Sequence, residues 1–344
     1  MSGGILAFII IIIIVVGLMG CAEFEEKESK TSVNYTLVLE KKTNHPILDV
    51  GMSPNGEYIA IFSEDHTFVS YPFAEFIFMT RDGKILWNGS SYDIIAVLDN
   101  GDCVVINYHN LTILNRTGNV IWTKDIFSEI DIIDIDVSYY TGLFTVADDA
   151  GFIKLYSKLY DENCSEIWKW RTYYRPECVS ISDDGRYIVA SDRVWIYLFD
   201  KNGRLLWDKR LEDIFPEKPS WVLDDYVGLS FVPNNMSIVV IWGNYLGVLN
   251  VNGTWILPPK SIEIAWKSIP YAKNFAVSKN YIFTFKGNII YVYDLKSGKM
   301  LCKFSTKRES INCIACSLDG NYIVVGSEDM WVYVFRKKTE GVGS

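Results

Sequence analysis

The residues of this 344-residue chain that could do chemistry are few and scattered. Cys313-x-x-Cys316 has the spacing of half a zinc site. It falls in a predicted strand, Ile311 to Ser317, where positions three apart face opposite sides, and neither a second pair nor a nearby His completes it. His45, His66 and His109, the only three histidines, show no ligand-like spacing. Acidic pairs at Asp148-Asp149, Asp183-Asp184 and Asp224-Asp225, with a looser group at Asp131, Asp134 and Asp136, could bind calcium or share a proton. The pairs sit in turns, where Asp caps backbone N–H groups, and that is how we read them. No G-x-S-x-G elbow, P-loop or strand-following G-x-G-x-x-G is present. The expectation is no catalytic residue, no metal and no cofactor.

The N-terminus carries a different chemistry. Residues Ile5 to Met19 are apolar, with an unbroken run from Ile9 to Val16. At about 15 residues this is shorter than a comfortable membrane helix and suits a signal-peptide core. Leu18-Met19-Gly20-Cys21 follows. It resembles the lipobox of prokaryotic lipoproteins, which implies cleavage before Cys21 and lipid on its thiol. The alternative is an uncleaved apolar helix acting as an anchor. No Lys or Arg precedes the segment, so charge bias gives no orientation. The expected layout is 1–21 signal peptide or anchor, 22–32 linker, 33–337 folded domain and 338–344 polar tail.

Seven Asn-x-Ser/Thr sequons, at Asn34, Asn88, Asn110, Asn115, Asn163, Asn235 and Asn252, exceed the roughly two that composition predicts. Glycosylation on the extracytoplasmic side is one reading. The other is that Asn, Gly, Ser and Thr crowd into turns. Beyond Cys21, six cysteines (Cys103, Cys164, Cys178, Cys302, Cys313 and Cys316) make an even number that permits disulfides, with pairing open. The net charge of −9 repels a phosphate backbone and argues against nucleic acid as a partner.

The elements that must carry these residues repeat. Taking one turn position per copy, Gly56, Gly101, Gly142, Gly185, Asn235, Asn280 and Gly320, the spacings are 45, 41, 43, 50, 45 and 40. That period matches a four-stranded propeller blade, and the copies number seven. Within a copy, a short strand ends at Ser-x-Asp-Gly, a turn suited to glycine. Tyr-Ile-Val-Ala is the second strand. Trp195, Tyr197 and Phe199 alternate with Ile196 and Leu198 in a third strand that is apolar on both faces. Leu-Leu-Trp207 is the fourth. Trp87, Trp122, Trp168 and Trp207 share one phase, which points to packing common to all blades rather than to one binding site. The last copy stops at Phe335 without an outer strand, and the alternating segment Asn34 to Glu40 is expected to pair with 331–335 and close the ring.

The fold class is therefore all-β, a seven-bladed β-propeller of four-stranded blades, closed by an N-terminal strand and preceded by an apolar N-terminal helix. In Ser-Pro/Asp-x-Gly-x-Tyr-Ile-Ala the repeat resembles WD-repeat propellers. In Asp-x-x-x-Gly-Lys/Arg-x-Leu-Trp it resembles the pyrroloquinoline-quinone-type repeat. The second resemblance implies a quinone-dependent dehydrogenase, whose cofactor stacks between a Trp and a vicinal disulfide. This chain lacks a Cys-Cys pair, is shorter, and has seven copies where eight are common. The function expected is a non-catalytic, membrane-anchored scaffold for a protein, peptide or glycan. The alternatives are the quinone enzyme and an assembly factor or sensor for exported proteins.

Overall fold

The computed structural model describes residues 33–64, 74–89, 93–107, 110–125, 132–216, 226–265, 273–307 and 310–338. The expected apolar helix, Cys21 and the linker 22–32 lie outside these residues, as do His66, His109, Asp131, Asp224 and Asp225. No helix among the described residues is long and apolar enough to cross a membrane.

The chain forms seven antiparallel four-stranded sheets, the blades of a propeller. The first strand, β1 (Tyr35–Lys42), stands apart from the first blade. Blade 1 is β2 (Ile47–Met52), β3 (Tyr58–Glu64), β4 (Ala74–Thr80) and β5 (Ile85–Gly89). Blade 2 is β6 (Asp93–Val97), β7 (Cys103–Asn107), β8 (Asn110–Leu114) and β9 (Val120–Asp125). Blade 3 is β10 (Ile132–Val137), β11 (Phe144–Asp148), β12 (Phe152–Tyr156) and β13 (Glu166–Arg171). Blade 4 is β14 (Pro176–Ile181), β15 (Tyr187–Asp192), β16 (Trp195–Asp200) and β17 (Leu205–Arg210). A single helical turn, α1 (Leu211–Ile214), leads on to blade 5, which is β18 (Val227–Phe231), β19 (Ser237–Trp242), β20 (Tyr245–Asn250) and β21 (Trp255–Ser261). Blade 6 is β22 (Phe275–Val277), β23 (Tyr281–Lys286), β24 (Ile289–Asp294) and β25 (Met300–Ser305). Blade 7 is β26 (Ile311–Cys316), β27 (Tyr322–Ser327) and β28 (Trp331–Lys337), with β1 as its outer strand. β1 runs antiparallel to β28, from Tyr35 opposite Lys337 to Lys42 opposite Trp331.

Alternation along each strand decides which neighbour it packs on. In β16, Tyr197 and Phe199 join a cluster with Ile153 and Leu155 of blade 3. Ile196 and Leu198 join one with Leu229 and Val240 of blade 5. Both faces of the sheet are apolar, so a blade is buried only between two others. Seven such clusters exist, one for each pair of successive blades and one joining Ile47, Ile59 and Ile61 of blade 1 to Val324 and Val334 of blade 7.

Turn chemistry explains the repeated polar letters. In Ser-x-Asp-Gly-x-Tyr, Ser182 Oγ donates to Asp184 Oδ1 (2.8 Å) and accepts the Tyr187 N–H (3.0 Å). Ser317 repeats this with Asp319 and Tyr322. Blade 5 departs from the expected pattern. There Asn234, not Asn235, takes the positive φ, as Asn can. At Asn280 of blade 6 the turn needs no positive φ. Its Ser278 instead exchanges backbone and side-chain hydrogen bonds with Tyr281.

The tryptophans wedge between blades, as their shared phase implied. Trp87, Trp122, Trp168 and Trp207 each stand opposite the same point of the third strand: Phe78, Ile113, Leu155 and Leu198. Each of the last three reaches into the next blade, where the indole N–H donates to Asp161 O (3.2 Å), Lys201 O (3.1 Å) and Val251 O (2.8 Å). Gly203 lies directly against such an indole. Its φ is +82°, and an added Cβ would stand 2.8 Å from Trp168 Cγ. Gly203→Ala therefore combines left-handed strain with a clash and is expected to destabilise by about 2–4 kcal/mol. Gly287, φ +60° with open space around it, should lose only about 1–2 kcal/mol as Ala. Denaturant midpoints of the two variants test this difference.

Candidate functional site

The inner strands of all seven blades line a central cavity of about 580 Å³. In each sheet the first and third turns emerge at one end of the propeller, here the turn end. The second turns and the crossovers between blades emerge at the other, the loop end.

An innermost strand leaves one edge without a strand partner, so its N–H groups need other acceptors. Carboxylates from the preceding blade supply several. Val179 N–H donates to Asp134 Oδ2 (2.9 Å). Ser180 Oγ and Ile181 N–H donate to Asp136 Oδ2 (2.8 and 3.0 Å). Val227 N–H donates to Glu177 Oε2 (3.1 Å) and Asn234 N–H to Asp183 Oδ2 (2.6 Å). The Asp134–Asp136 group is thus a brace between blades 3 and 4. Asp184 and Asp148 serve turns, Asp148 accepting the Phe152 N–H (2.8 Å) and pairing with Lys154 Nζ at 2.7 Å. Among the described residues no group of His, Cys, Asp and Glu could hold a metal ion.

Sequence reasoning missed the cavity's cation. β22 is only three residues long, and Lys273 just before it projects into the cavity, reached by water yet enclosed by protein. Burial opposes its charge, but Asp136, Tyr139, Asp134 and Asp49 outweigh that and hold its pKa above the ordinary lysine value. Burial raises Asp134 to about 7, with Asp136 adding to the rise and Lys273 and the Val179 N–H opposing it. Burial also holds Asp49, only 4% exposed, well above the carboxylate range. A signal was available: Asp136 occupies the place that is small in the other six inner strands, Gly51, Ala96, Ser180, Ser230, Ala276 and Ala315.

A second missed feature is the loop-end rim of blade 4. Asp192 is fully buried there. It accepts the Val194 and Trp195 N–H groups (2.8 and 2.7 Å), the Tyr197 hydroxyl (2.6 Å) and the Tyr174 N–H (3.2 Å). The connection it holds, Thr172 to Arg175, presents Tyr173 and Tyr174, which are 65% and 56% exposed. Arg175, Arg193 and Tyr226 stand beside them at the cavity mouth.

The remaining expected residues are dispersed. Asn34, Asn88, Asn110, Asn163, Asn235 and Asn252 are exposed and Asn115 is half-buried. Asn34, Asn115, Asn163, Asn235 and Asn252 belong to the turn end. His45 is half-buried beside β2. All six described cysteines are free thiols. Cys313 is buried while Cys316 faces the cavity, where burial lifts it to about 12.

With this geometry in place, comparison adds one match: residues 298–336 fit the family model described as "WD domain, G-beta repeat". The matched span takes in all of the outer strand of blade 6 and the three inner strands of blade 7 up to Arg336. No curated protein matches the chain. The fold is a seven-bladed β-propeller, and residues 298–336 of it are similar to a WD repeat.

Asp134 generates a pH prediction. Its folded pKa of about 7 lies above the ordinary value of 3.8. The folded state therefore holds this proton more tightly, and the stability it contributes is present at low pH and lost as pH rises from about 4 to 7. Carboxyl NMR should place its midpoint near 7. Lys273→Met should move it higher, because the ammonium favours the carboxylate.

Proposed function

We propose that this protein is a membrane-tethered, non-catalytic propeller that presents its loop end, on the extracytoplasmic side, to a protein, peptide or glycan partner. The observation that carries the reading is the blade 4 rim. Exposed tyrosines sit there on a connection fixed by a fully buried carboxylate, and rigid exposed aromatics suit binding. The channel carboxylates support binding over acid–base chemistry, since their oxygens are engaged by backbone N–H groups of the next blade.

The tether follows from the apolar segment before Cys21 and lipid on that thiol. The described chain enters at the turn end, where β1 begins. A tether before β1 would therefore act on the turn end and leave the loop end free for a partner. Pairing of β1 with β28 would close the ring at the same point, so a pull on the tether loads the latch strand. The sequons at exposed positions fit an exported surface, and the buried thiols fit an oxidising compartment because burial keeps them protonated.

Mass spectrometry of the N-terminus from native membranes, with protease protection in sealed vesicles, tests this. We expect a mature chain beginning at a lipid-modified Cys21, its propeller digested only from the outer side. Recovery in the soluble fraction with an intact, unmodified N-terminus would overturn the tether.

A further inference from the structure

We propose that the tyrosine–arginine rim of blade 4 is a docking site for an acidic peptide segment of a partner protein. This rests on the reading of the propeller as a binding scaffold and adds the chemistry of what it binds. Most other exposed large apolar side chains lie along outer strands, such as Val38, Ile167, Leu206 and Ile256, and a second tyrosine pair, Tyr139 and Tyr140, lies at the turn end. At the rim, Tyr173, Tyr174 and Tyr226 are 65%, 56% and 43% exposed within one sector. Tyr173 packs one side against Trp170, Trp195 and Tyr197, with ring centroids 6.2, 5.9 and 6.1 Å away. Its backbone is fixed as well. Thr172 N–H and Oγ1 both donate to Gly151 O (2.9 and 3.0 Å), and Tyr174 N–H donates to Asp192. The Tyr173 ring and the backbone that carries Tyr174 are therefore held in place before any partner arrives, which lowers the ordering entropy lost on binding.

The charges select the partner. The chain as a whole carries −9, yet the rim presents guanidinium groups. Arg193 Nε donates to Glu177 Oε1 (2.9 Å), and no carboxylate among the described residues pairs with Arg175. Guanidinium forks bind carboxylates with defined geometry. A neutral sugar would need acceptors for its hydroxyls, but the nearby carboxylates Asp192 and Glu177 are already engaged internally. Apolar rings beside guanidinium groups fit a peptide that carries Asp or Glu next to an apolar side chain.

The test is selection of a phage-displayed random 12-residue library on the full chain in detergent. Arg175→Glu and Tyr173→Ser/Tyr174→Ser are screened in parallel, with circular dichroism and melting temperature as folding controls. We expect an acidic–apolar consensus whose fluorescein-labelled peptide binds wild type and weakens about tenfold or more in either variant, with affinity falling as salt rises. Arg175→Glu changes an exposed side chain outside the Asp192 hydrogen bonds, so it keeps the test valid if the tyrosine variant unfolds. No enrichment, a basic consensus, or equal binding to wild type and Arg175→Glu would overturn the site. Heparin binding with the same variant dependence, without peptide enrichment, would make it an anionic-glycan site instead and overturn the peptide assignment. A soluble, unlipidated protein that still selects acidic peptides would sink the tether alone, and a tethered one that selects none would sink this site alone.

Discussion

Each sheet of this protein is apolar on both faces, and that constraint governs everything else. A strand such as β16 sends Tyr197 and Phe199 to one side and Ile196 and Leu198 to the other, and all four are fully buried. Two flanking sheets are needed to remove both faces from water, at roughly 25 cal/mol for each Å² covered. A linear stack would leave its two terminal faces exposed. The cluster shared by blades 1 and 7 gives those terminal faces to each other. β1 belongs to the last sheet while β2 opens the first, and residues 35–42 pair with β28.

Stacking in a ring creates a second problem at the centre. Seven innermost strands turn an unpaired edge toward one cavity, and each unsatisfied N–H there would cost about 1–3 kcal/mol. Carboxylates answer this for part of the ring, because one oxygen can take two donors, as Asp136 Oδ2 does. Burial raises the pKa values of Asp134, Asp49, Glu177 and Asp183, and Lys273 opposes the rise at Asp134 and Asp49. The acidic character of the channel is thus explained by backbone satisfaction before any ligand is considered. The rim has no comparable structural need for two largely exposed tyrosines.

Local features were legible in the chain and non-local ones were not. The period, the Ser-x-Asp-Gly-x-Tyr turns and the phase of Trp87, Trp122, Trp168 and Trp207 all depend on residues within one blade, so they could be read directly. Pairing Asp134 with Val179 required knowing that residues 45 apart lie side by side in successive blades. The period carries that information only when positions one repeat apart are set side by side. Asn234 taking the turn conformation usually given to glycine, and the shortening of β22 that frees Lys273, are local exceptions that a repeat template hides. Tyr173 and Tyr174 lie in a connection with no periodicity, and their significance depends on Asp192, in the next blade.

Pseudo-symmetry provides the argument for separating framework from function. A residue type that recurs at one phase in every blade answers a requirement common to all blades. The Trp-phase position is filled by Leu257, Cys302 and Leu39 where it is not Trp, which is what a packing requirement tolerates. Among the described residues, the corresponding crossover before blade 1, Thr43 to Pro46, has no Tyr, Trp, Phe or Arg. The place of Asp192 in blade 7 is taken by Ser327, opposite Ile311 as Asp192 is opposite Pro176, and its hydroxyl accepts the Trp331 N–H. A fully buried carboxylate that pins its own hairpin and also reaches across to an exposed connection is asymmetric investment in a surface. In a framework of seven near-equivalent sheets, such a departure marks where this propeller differs from a bare ring.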